Sequence, residues 1–290
     1  MKPVNFDYER PRTIDEACEL LASNSNARIL AGGQSLIPML SMRLSRPSLL
    51  IDIAHIKDLS EIVATDTHIE IGAMVRQAVA KNAMMIQEYI PLLSKALHHV
   101  GHPPTRARGT VGGSIAHADP SAEIALVAVT LGAEITYRIG GDDHIFDATE
   151  FFIGPMLTVA PPDGCLVKVG FPKTSKICGT GFYEVAPRRS DYALASAAAQ
   201  INFDSKGAAK TIRVGVGSIG DFPERLDVDQ LLKTDLNDEL IVATVKTAIA
   251  EIETVDDLHA SAEYRKRVAA HLAVKALQTA RDEVREAPAK

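Results

Sequence analysis

The first part of the chain alternates segments of helical spacing with short apolar runs, which predicts a compact unit of helices and strands. Thr13 precedes a segment whose apolar positions lie three and four residues apart, and Glu16 stands three residues after Thr13. A Thr and a Glu at this spacing are typical of a capping box, in which each side chain bonds a free backbone N–H group at the helix start. The predicted elements are a helix over 13–22, a strand over 28–31, a helix over 36–44 and a strand over 49–53.

The most apolar segment of the chain lies further on, at residues 121–131, and is typical of a helix buried on all sides. Asp119 suits the N-cap of this helix, and Pro120 suits its first position. Residues 101–113 are rich in Gly, Pro and Arg, and they predict a loop. The other predicted elements are strands over 68–73, 134–139, 165–171, 195–203 and 211–216, and helices over 91–100, 240–251 and 261–283.

A linker composition marks the expected domain boundary. Residues 172–181 consist mostly of Pro, Gly, Ser, Thr and Lys, which disfavour regular structure. We therefore predict a first domain over 1–175, with subdomains over about 1–55 and 56–175, and a second domain over 176–290. A chain of 290 residues is long enough for each domain to have its own core.

The composition is that of a soluble protein, with 46% hydrophobic residues and a net charge of −6. An acidic surface repels phosphate backbones, so we do not expect nucleic acid as a partner. No apolar run is long enough for a membrane span or a secretory signal, and the expected location is the cytoplasm. The cysteines are too far apart in the sequence to predict a metal or iron–sulfur site in this chain; they are Cys18, Cys165 and Cys178.

Two short motifs, at 31–35 and 110–114, each combine a pair of glycines with a Ser or Thr. Glycines allow backbone conformations in which successive N–H groups converge, and such a group of donors binds an anion. Two turns of this kind could hold the two phosphates of a dinucleotide. Taken singly, each motif is more often an ordinary tight turn, and neither has the Gly-Lys-Ser/Thr ending of a Walker A loop.

A third glycine motif has the spacing of the dinucleotide fingerprint GxGxxG, at Gly215, Gly217 and Gly220. The fingerprint requires a helix immediately after the glycines, within a βαβ unit. Here Asp221, Phe222 and Pro223 follow instead. We interpret these glycines as the end of a strand.

Taken together, the motifs resemble a known family, the FAD-binding medium subunits of the molybdenum hydroxylases. Its members include the carbon monoxide, xanthine, quinoline and nicotine dehydrogenase types. The resemblance centres on AGGQSLIPMLSMRLSRPSLLIDI at 31–53 and GHPPTRARGTVGGSIAHADPSAEI at 101–124. It extends in the same order to 151–164, 182–198 and 261–277, so it covers nearly the whole chain. A series of spaced motifs is much more specific than one glycine pair.

The resemblance implies an α+β fold. Its first domain is an FAD-binding domain of the vanillyl-alcohol oxidase type with two subdomains, and a smaller domain of sheet and helix follows. The resemblance also implies FAD contacts, with the two glycine turns at the pyrophosphate, Glu123 hydrogen-bonded to the cofactor, and Tyr192 at the isoalloxazine ring. The residues that it assigns to cofactor binding are Ala31, Gly32, Gly33, Gln34, Ser35, Thr110, Val111, Gly112, Gly113, Ser114, Glu123, Leu166 and Tyr192.

One departure from the family pattern concerns the charge near the flavin. Glu184 stands where some relatives have a Lys. A positive charge near the ring stabilises the reduced, anionic flavin, so the flavin potential of those relatives does not carry over to this chain.

The resemblance further implies an electron-transfer function without catalytic residues of this chain's own. A small partner subunit would carry [2Fe–2S] clusters, and a large partner would carry a molybdenum–pterin cofactor that oxidises the substrate. This chain would pass the electrons through FAD to an external acceptor, in a complex expected to be a dimer of heterotrimers. The alternative is a stand-alone FAD-dependent oxidoreductase. The sequence leaves the organic substrate and the acceptor open.

Overall fold

The structure is a computed structural model that describes residues 2–286. Its N-terminal part is a three-stranded parallel sheet in the order β1-β3-β2. Thr13 forms the predicted capping box with Glu16 at the start of the first helix. The second helix ends earlier than predicted, because Arg43 adopts a φ of 60° shortly after it. The elements are β1 (Asp7–Glu9), α1 (Ile14–Ser23), β2 (Ala27–Leu30), α2 (Leu36–Ser41) and β3 (Leu49–Asp52).

A five-stranded antiparallel sheet in the order β4-β5-β10-β6-β7 forms the next part of the chain. Helix α8 is buried along almost its whole length, as its apolar sequence predicts. The elements are β4 (Ile62–Ala64), β5 (His68–Gly72), α3 (Gln77–Asn82), α4 (Met84–Tyr89), α5 (Pro91–Ala96), α6 (Pro103–Arg108), α7 (Val111–His117), α8 (Glu123–Leu131), β6 (Glu134–Ile139), β7 (Asp142–Asp147), α9 (Ala148–Phe151), β8 (Phe152–Gly154), β9 (Leu157–Thr158) and β10 (Cys165–Pro172).

Two predictions for this region are wrong. The expected loop at 101–113 contains helix α6, whose first turn accommodates Pro103 because proline has no N–H group to lose there. The expected N-cap of α8 is also wrong. Asp119 accepts a hydrogen bond from Ser121 N at 2.8 Å, and the helix begins later, at Glu123.

A four-stranded antiparallel sheet in the order β11-β12-β13-β14 forms the last part, covered by two helices. The expected linker is partly wrong, since strand β11 already begins at Cys178. Glycines 215 and 217 end a strand without a following helix, as we interpreted them. The elements are β11 (Cys178–Val185), β12 (Ala195–Phe203), β13 (Ala209–Gly217), β14 (Glu224–Leu226), α10 (Asp238–Ala250) and α11 (Ala262–Arg285).

Strand β11 lies unusually close to helix α11. A Cβ atom added to Gly181 would come within 2.7 Å of Ala276 Cα, and one added to Gly179 would overlap the carbonyl oxygen of Ala280. Two glycines on one face of the strand therefore fit against two alanines one turn apart on the helix. This contact packs the sheet directly on the helix backbone.

The mixture of helices and sheets confirms the expected α+β class. Within residues 2–286, no helix is both long and apolar enough to cross a membrane.

Candidate functional site

The two glycine turns, far apart in the sequence, touch in the structure. A Cβ atom on Gly32 would overlap the carbonyl oxygen of Arg108 and lie 2.8 Å from Gly109 Cα. A Cβ atom on Gly113 would lie 3.6 Å from the Cβ of Ala31. The turns therefore form one continuous surface, and glycine at position 32 allows this close approach.

The first turn offers a row of unused backbone donors. Gly33 has a φ of +72°, a conformation that favours glycine. Within residues 2–286, no protein acceptor bonds the N–H groups of the four consecutive residues 32–35. Successive free N–H groups in a turn of this kind form a concave site for an anion.

The second turn is held more tightly by the protein itself. Thr110 caps α7, and its Oγ1 accepts from Gly113 N at 3.0 Å. The N–H groups of Val111 and Gly112 donate to the carbonyl oxygens of Val75 and Ala73, each at 3.0 Å. These three N–H groups and the Thr110 hydroxyl oxygen are thus occupied, so the Ser114 hydroxyl is the group of this turn that we expect to meet a ligand.

Arg76 and Gln77, which the sequence analysis did not identify, stabilise the contact between the two turns. The backbone N–H of Gln77 donates to Gly109 O at 2.9 Å, and its side-chain Nε2 donates to Thr110 O at 3.4 Å. The Arg76 guanidinium bonds the carbonyl of Arg108. Burial and the neighbouring Arg108 lower the pKa of Arg76. Nothing in local periodicity indicates either role, because the contacts join segments over 30 residues apart.

A cluster of acidic side chains lies beyond the turns. Burial raises the pKa of Glu123 to about 8, and the charges of Glu184 and Asp119 act in the same direction. The side chain of Glu184 is 9% exposed, and its Oε1 lies 3.1 Å from Nδ1 of His99. Its Oε2 is buried and has no hydrogen-bond partner within the described residues. The cluster therefore contains a carboxylate oxygen suited to an N–H or O–H donor of a ligand.

His99 also belongs to this cluster. Its ring packs against Phe182 at 5.0 Å between centroids, in addition to its contact with Glu184. A cavity of about 430 Å³ adjoins the cluster. Its lining consists of His98, His99, Glu184, Ala186, Pro187, Arg188, Arg189 and Ser190.

Tyr192 lies in the loop between β11 and β12, and 72% of its surface is exposed. Burial of part of the side chain raises its pKa, and the charges of Asp119 and Glu123 contribute. The phenol thus stands near the acidic cluster with most of its surface available. Leu166 is 6% exposed on β10, where it pairs with Tyr137, so it offers little surface to a ligand.

These features fit a flavin dinucleotide. Considering the described part of the chain, residues 2–286, the N–H groups of 32–35 have no acceptor and suit a pyrophosphate, and Glu184 Oε2 has no donor and suits a ring N–H or a ribityl hydroxyl. The exposed face of Tyr192 suits a planar ring. Contacts of the thirteen expected residues with FAD stay a prediction.

The raised pKa of Glu123 predicts a pH-dependent stability. The folded chain holds this proton up to about pH 8, whereas an ordinary Glu releases it near pH 4.5. The free energy of unfolding should therefore fall as the pH rises between these values, by at most about 1.4 kcal/mol per pH unit. Denaturant unfolding of the FAD-free chain across this range measures the slope. Glu123→Gln should flatten it, while Glu239→Gln, at an exposed position on α10, should not. Equal slopes in wild type and Glu123→Gln would contradict the assignment.

Comparisons with known proteins agree with this geometry. Residues 4–174 match the family model described as the FAD binding domain in molybdopterin dehydrogenase. Residues 181–280 match the one described as the CO dehydrogenase flavoprotein C-terminal domain.

Individual relatives align over almost the full chain. The chain is 35% identical to the 6-hydroxypseudooxynicotine dehydrogenase complex subunit alpha of Paenarthrobacter nicotinovorans, over 92% of both chains. It is 33% identical to the nicotine 6-hydroxylase medium subunit of that organism, over 91% of this chain and 93% of the relative. Among solved structures, carbon monoxide dehydrogenase from Hydrogenophaga pseudoflava superposes with a TM-score of 0.94 at 28% identity, covering 98% of this chain and 100% of the other.

Proposed function

Because the chain belongs to the family of FAD-binding medium subunits of molybdenum hydroxylases, we propose that it relays electrons through FAD within a multi-subunit dehydrogenase. It is an oxidoreductase subunit with an FAD-binding domain followed by a C-terminal flavoprotein domain. The proposed path runs from the [2Fe–2S] clusters of a small partner subunit, through FAD on this chain, to an external acceptor. A large partner with the molybdenum–pterin cofactor oxidises the substrate.

The observation that carries the proposal is the contact between the two glycine turns. Among residues 2–286, no acceptor bonds the four N–H groups of the first turn, and the backbone just before the second turn approaches Gly32 closely. In this arrangement residues 31–35 and 110–114 hold the pyrophosphate, while Glu123 and Glu184 accept or donate hydrogen bonds at the flavin end. Tyr192 packs on the ring. FAD, when bound, supplies the electron-transfer chemistry, and the protein supplies binding, orientation and electrostatics.

Partner subunits follow from the kind of protein that this chain resembles. The names of its relatives describe one subunit of a complex and one medium subunit. We propose a small iron–sulfur subunit and a large molybdopterin subunit, assembled as a dimer of heterotrimers. The nicotine-related names favour an N-heterocyclic substrate for the complex.

The two domains are proposed over 1–175 and 176–290. Two hydrophobic clusters support this division, one centred on the first two sheets and one between the last sheet and its helices.

The proposal includes a cytoplasmic location. All three cysteines are free thiols, as is usual in a reducing compartment.

Anaerobic stopped-flow reduction of the purified chain tests the relay. The FAD-loaded chain alone should be bleached by dithionite, and it should not react with N-heterocycles, aldehydes, purines or carbon monoxide. When the chain is assembled with its partner subunits, one of these substrates should reduce the flavin. The control is the same chain after removal of FAD, which should give no absorbance change with dithionite. Rapid bleaching of the isolated chain by any substrate would instead establish the stand-alone oxidoreductase.

A further inference from the structure

Arg265 is a buried arginine on α11, in the last part of the chain and outside both glycine motifs. It is 4% exposed. Its Nη1 donates to the carbonyl oxygens of Leu194, at 2.7 Å, and Ser218, at 2.6 Å. Its Nη2 donates to Asp257 Oδ2 at 2.6 Å. One guanidinium thus joins three separate segments of the chain.

Both carbonyl partners belong to segments that lead to the candidate flavin site. Leu194 follows Tyr192 by two residues, and its own N–H donates to Val185 O at 2.7 Å, next to Glu184. The bond from Arg265 therefore fixes the end of the loop that carries Tyr192.

The second partner leads to the other side of the site. Ser218 has a φ of 66°, and its N–H donates to Pro120 O at 3.0 Å. Pro120 lies on the short segment that leads to Glu123. Ser121 Oγ, on the same segment, donates to Ala193 O at 3.4 Å and so adds a direct tie to the Tyr192 loop.

We infer that Arg265 is a positioning residue that fixes the Tyr192 loop against the Glu123 segment and thereby sets the environment of the flavin ring. The inference rests on the proposed function, since it takes Tyr192 and Glu123 to contact FAD. Its physical basis is the strength of charge-assisted hydrogen bonds in a buried place, where loss of the donor leaves two carbonyl groups without partners.

The charge of Arg265 is paired with Asp257, because a buried arginine is costly without such a partner. Its Nη1 and Nη2 atoms are hydrogen-bonded, while its buried Nε has no partner within residues 2–286. The backbone N–H groups of His259 and Ala260, together with Arg265, lower the pKa of Asp257 to about 2. The low pKa keeps the Asp257 carboxylate ionised near neutral pH, and this carboxylate holds the guanidinium in place for its two carbonyl partners.

The test compares two buried arginines of the same helix. Arg281 is 8% exposed, and its Nη1 bonds Leu236 O and Asp238 Oδ1, both outside the candidate site. Arg265→Met and Arg281→Met should lower the melting temperature alike. In the FAD-loaded full chain, only Arg265→Met should raise flavin fluorescence toward that of free FAD and shift the midpoint potential. Arg265→Lys should give a fluorescence and a midpoint potential between those of wild type and Arg265→Met, because an ammonium can still bond one carbonyl.

Asp257→Asn is a milder variant, in case Arg265→Met does not fold. It leaves the arginine in place but removes its charge partner, so it should shift fluorescence and potential in the same direction by a smaller amount. Loss of FAD from Arg265→Met, with FAD retained by Arg281→Met, also supports the inference. Unchanged fluorescence and potential in both Arg265→Met and Asp257→Asn overturn it, as do equal changes in Arg281→Met.

Tyr192→Ala separates this inference from the proposed function. If Tyr192→Ala shifts the fluorescence and the Arg265 variants do not, the flavin site stands and the role of Arg265 is refuted. If Tyr192→Ala changes neither value, the placement of Tyr192 at the ring fails, and the inference fails with it. If both variants shift the fluorescence, the double variant should shift it by less than the sum of the two single shifts, since Arg265 acts in part through the loop that carries Tyr192.

Discussion

The Gly32→Ala variant is expected to lose most of its FAD while it keeps its far-UV circular dichroism. The added Cβ would overlap the carbonyl oxygen of Arg108 and approach Gly109 Cα to 2.8 Å. Both of these atoms are backbone, so no side chain can turn away to make room. The two glycine turns must therefore separate, and a displacement that costs about 1.4 kcal/mol of binding free energy already weakens FAD binding tenfold.

Flavin content per chain, measured by absorbance after gel filtration, checks this expectation. Gly154→Ala is the matched control, because its added Cβ would meet Leu157 at 3.7 Å, an ordinary contact. Gly33→Val and Gly113→Val should also lose flavin. The first places a branched side chain at a positive φ, and the second crowds the Thr110 hydroxyl that caps α7. Full occupancy in Gly32→Ala would show that the contact between the turns does not form the FAD site.

The Glu184→Lys variant is expected to raise the midpoint potential of the bound flavin. Glu184 is nearly buried, and one of its oxygens has no partner within residues 2–286, so solvent and salt screen a charge at this position only weakly. Reduction adds negative charge to the flavin, which a carboxylate disfavours and an ammonium favours. A tenfold change in the reduction equilibrium corresponds to about 30 mV for a two-electron couple, and we expect a shift of at least this size.

Spectroelectrochemical titration of the FAD-loaded chain measures the shift. Glu184→Gln should give a smaller increase, because it removes the negative charge without adding a positive one. Glu239→Lys reverses a charge on the exposed first turn of α10 and should leave the potential unchanged. The same potential in wild type, Glu184→Gln and Glu184→Lys would place this carboxylate away from the flavin.

Local patterns in the sequence were enough for the four longest helices, α1, α8, α10 and α11, and for half of the strands that the structure describes within residues 2–286. The capping box at Thr13 and the apolar run of α8 depend on neighbouring residues, and both are present as predicted. Helix α6 was missed because two prolines at its start and a glycine after it resemble a loop. Asp119 was misplaced for a similar reason, since an Asp before Pro suits both a helix cap and the turn that it forms here.

The site itself was only partly predictable. The glycine turns are visible as motifs, and the family resemblance pairs them. The contact of His99 with Glu184, and the bonds of Arg265 to Leu194 and Ser218, join residues that are distant in the sequence. No periodicity or short motif predicts such contacts, because they form only when separate sheets and helices pack together.

The close fit between β11 and α11 has an evolutionary consequence. A larger residue at Gly179 or Gly181 would collide with the backbone of the helix, whatever the residues at 276 and 280 are. No single compensating substitution on α11 can relieve that collision, because the obstacle is main chain. Substitutions of these two glycines therefore require the whole helix to shift, and such a shift would also move Arg265. Relatives that act on different substrates should thus retain both glycines, even where the rest of the β11 sequence differs.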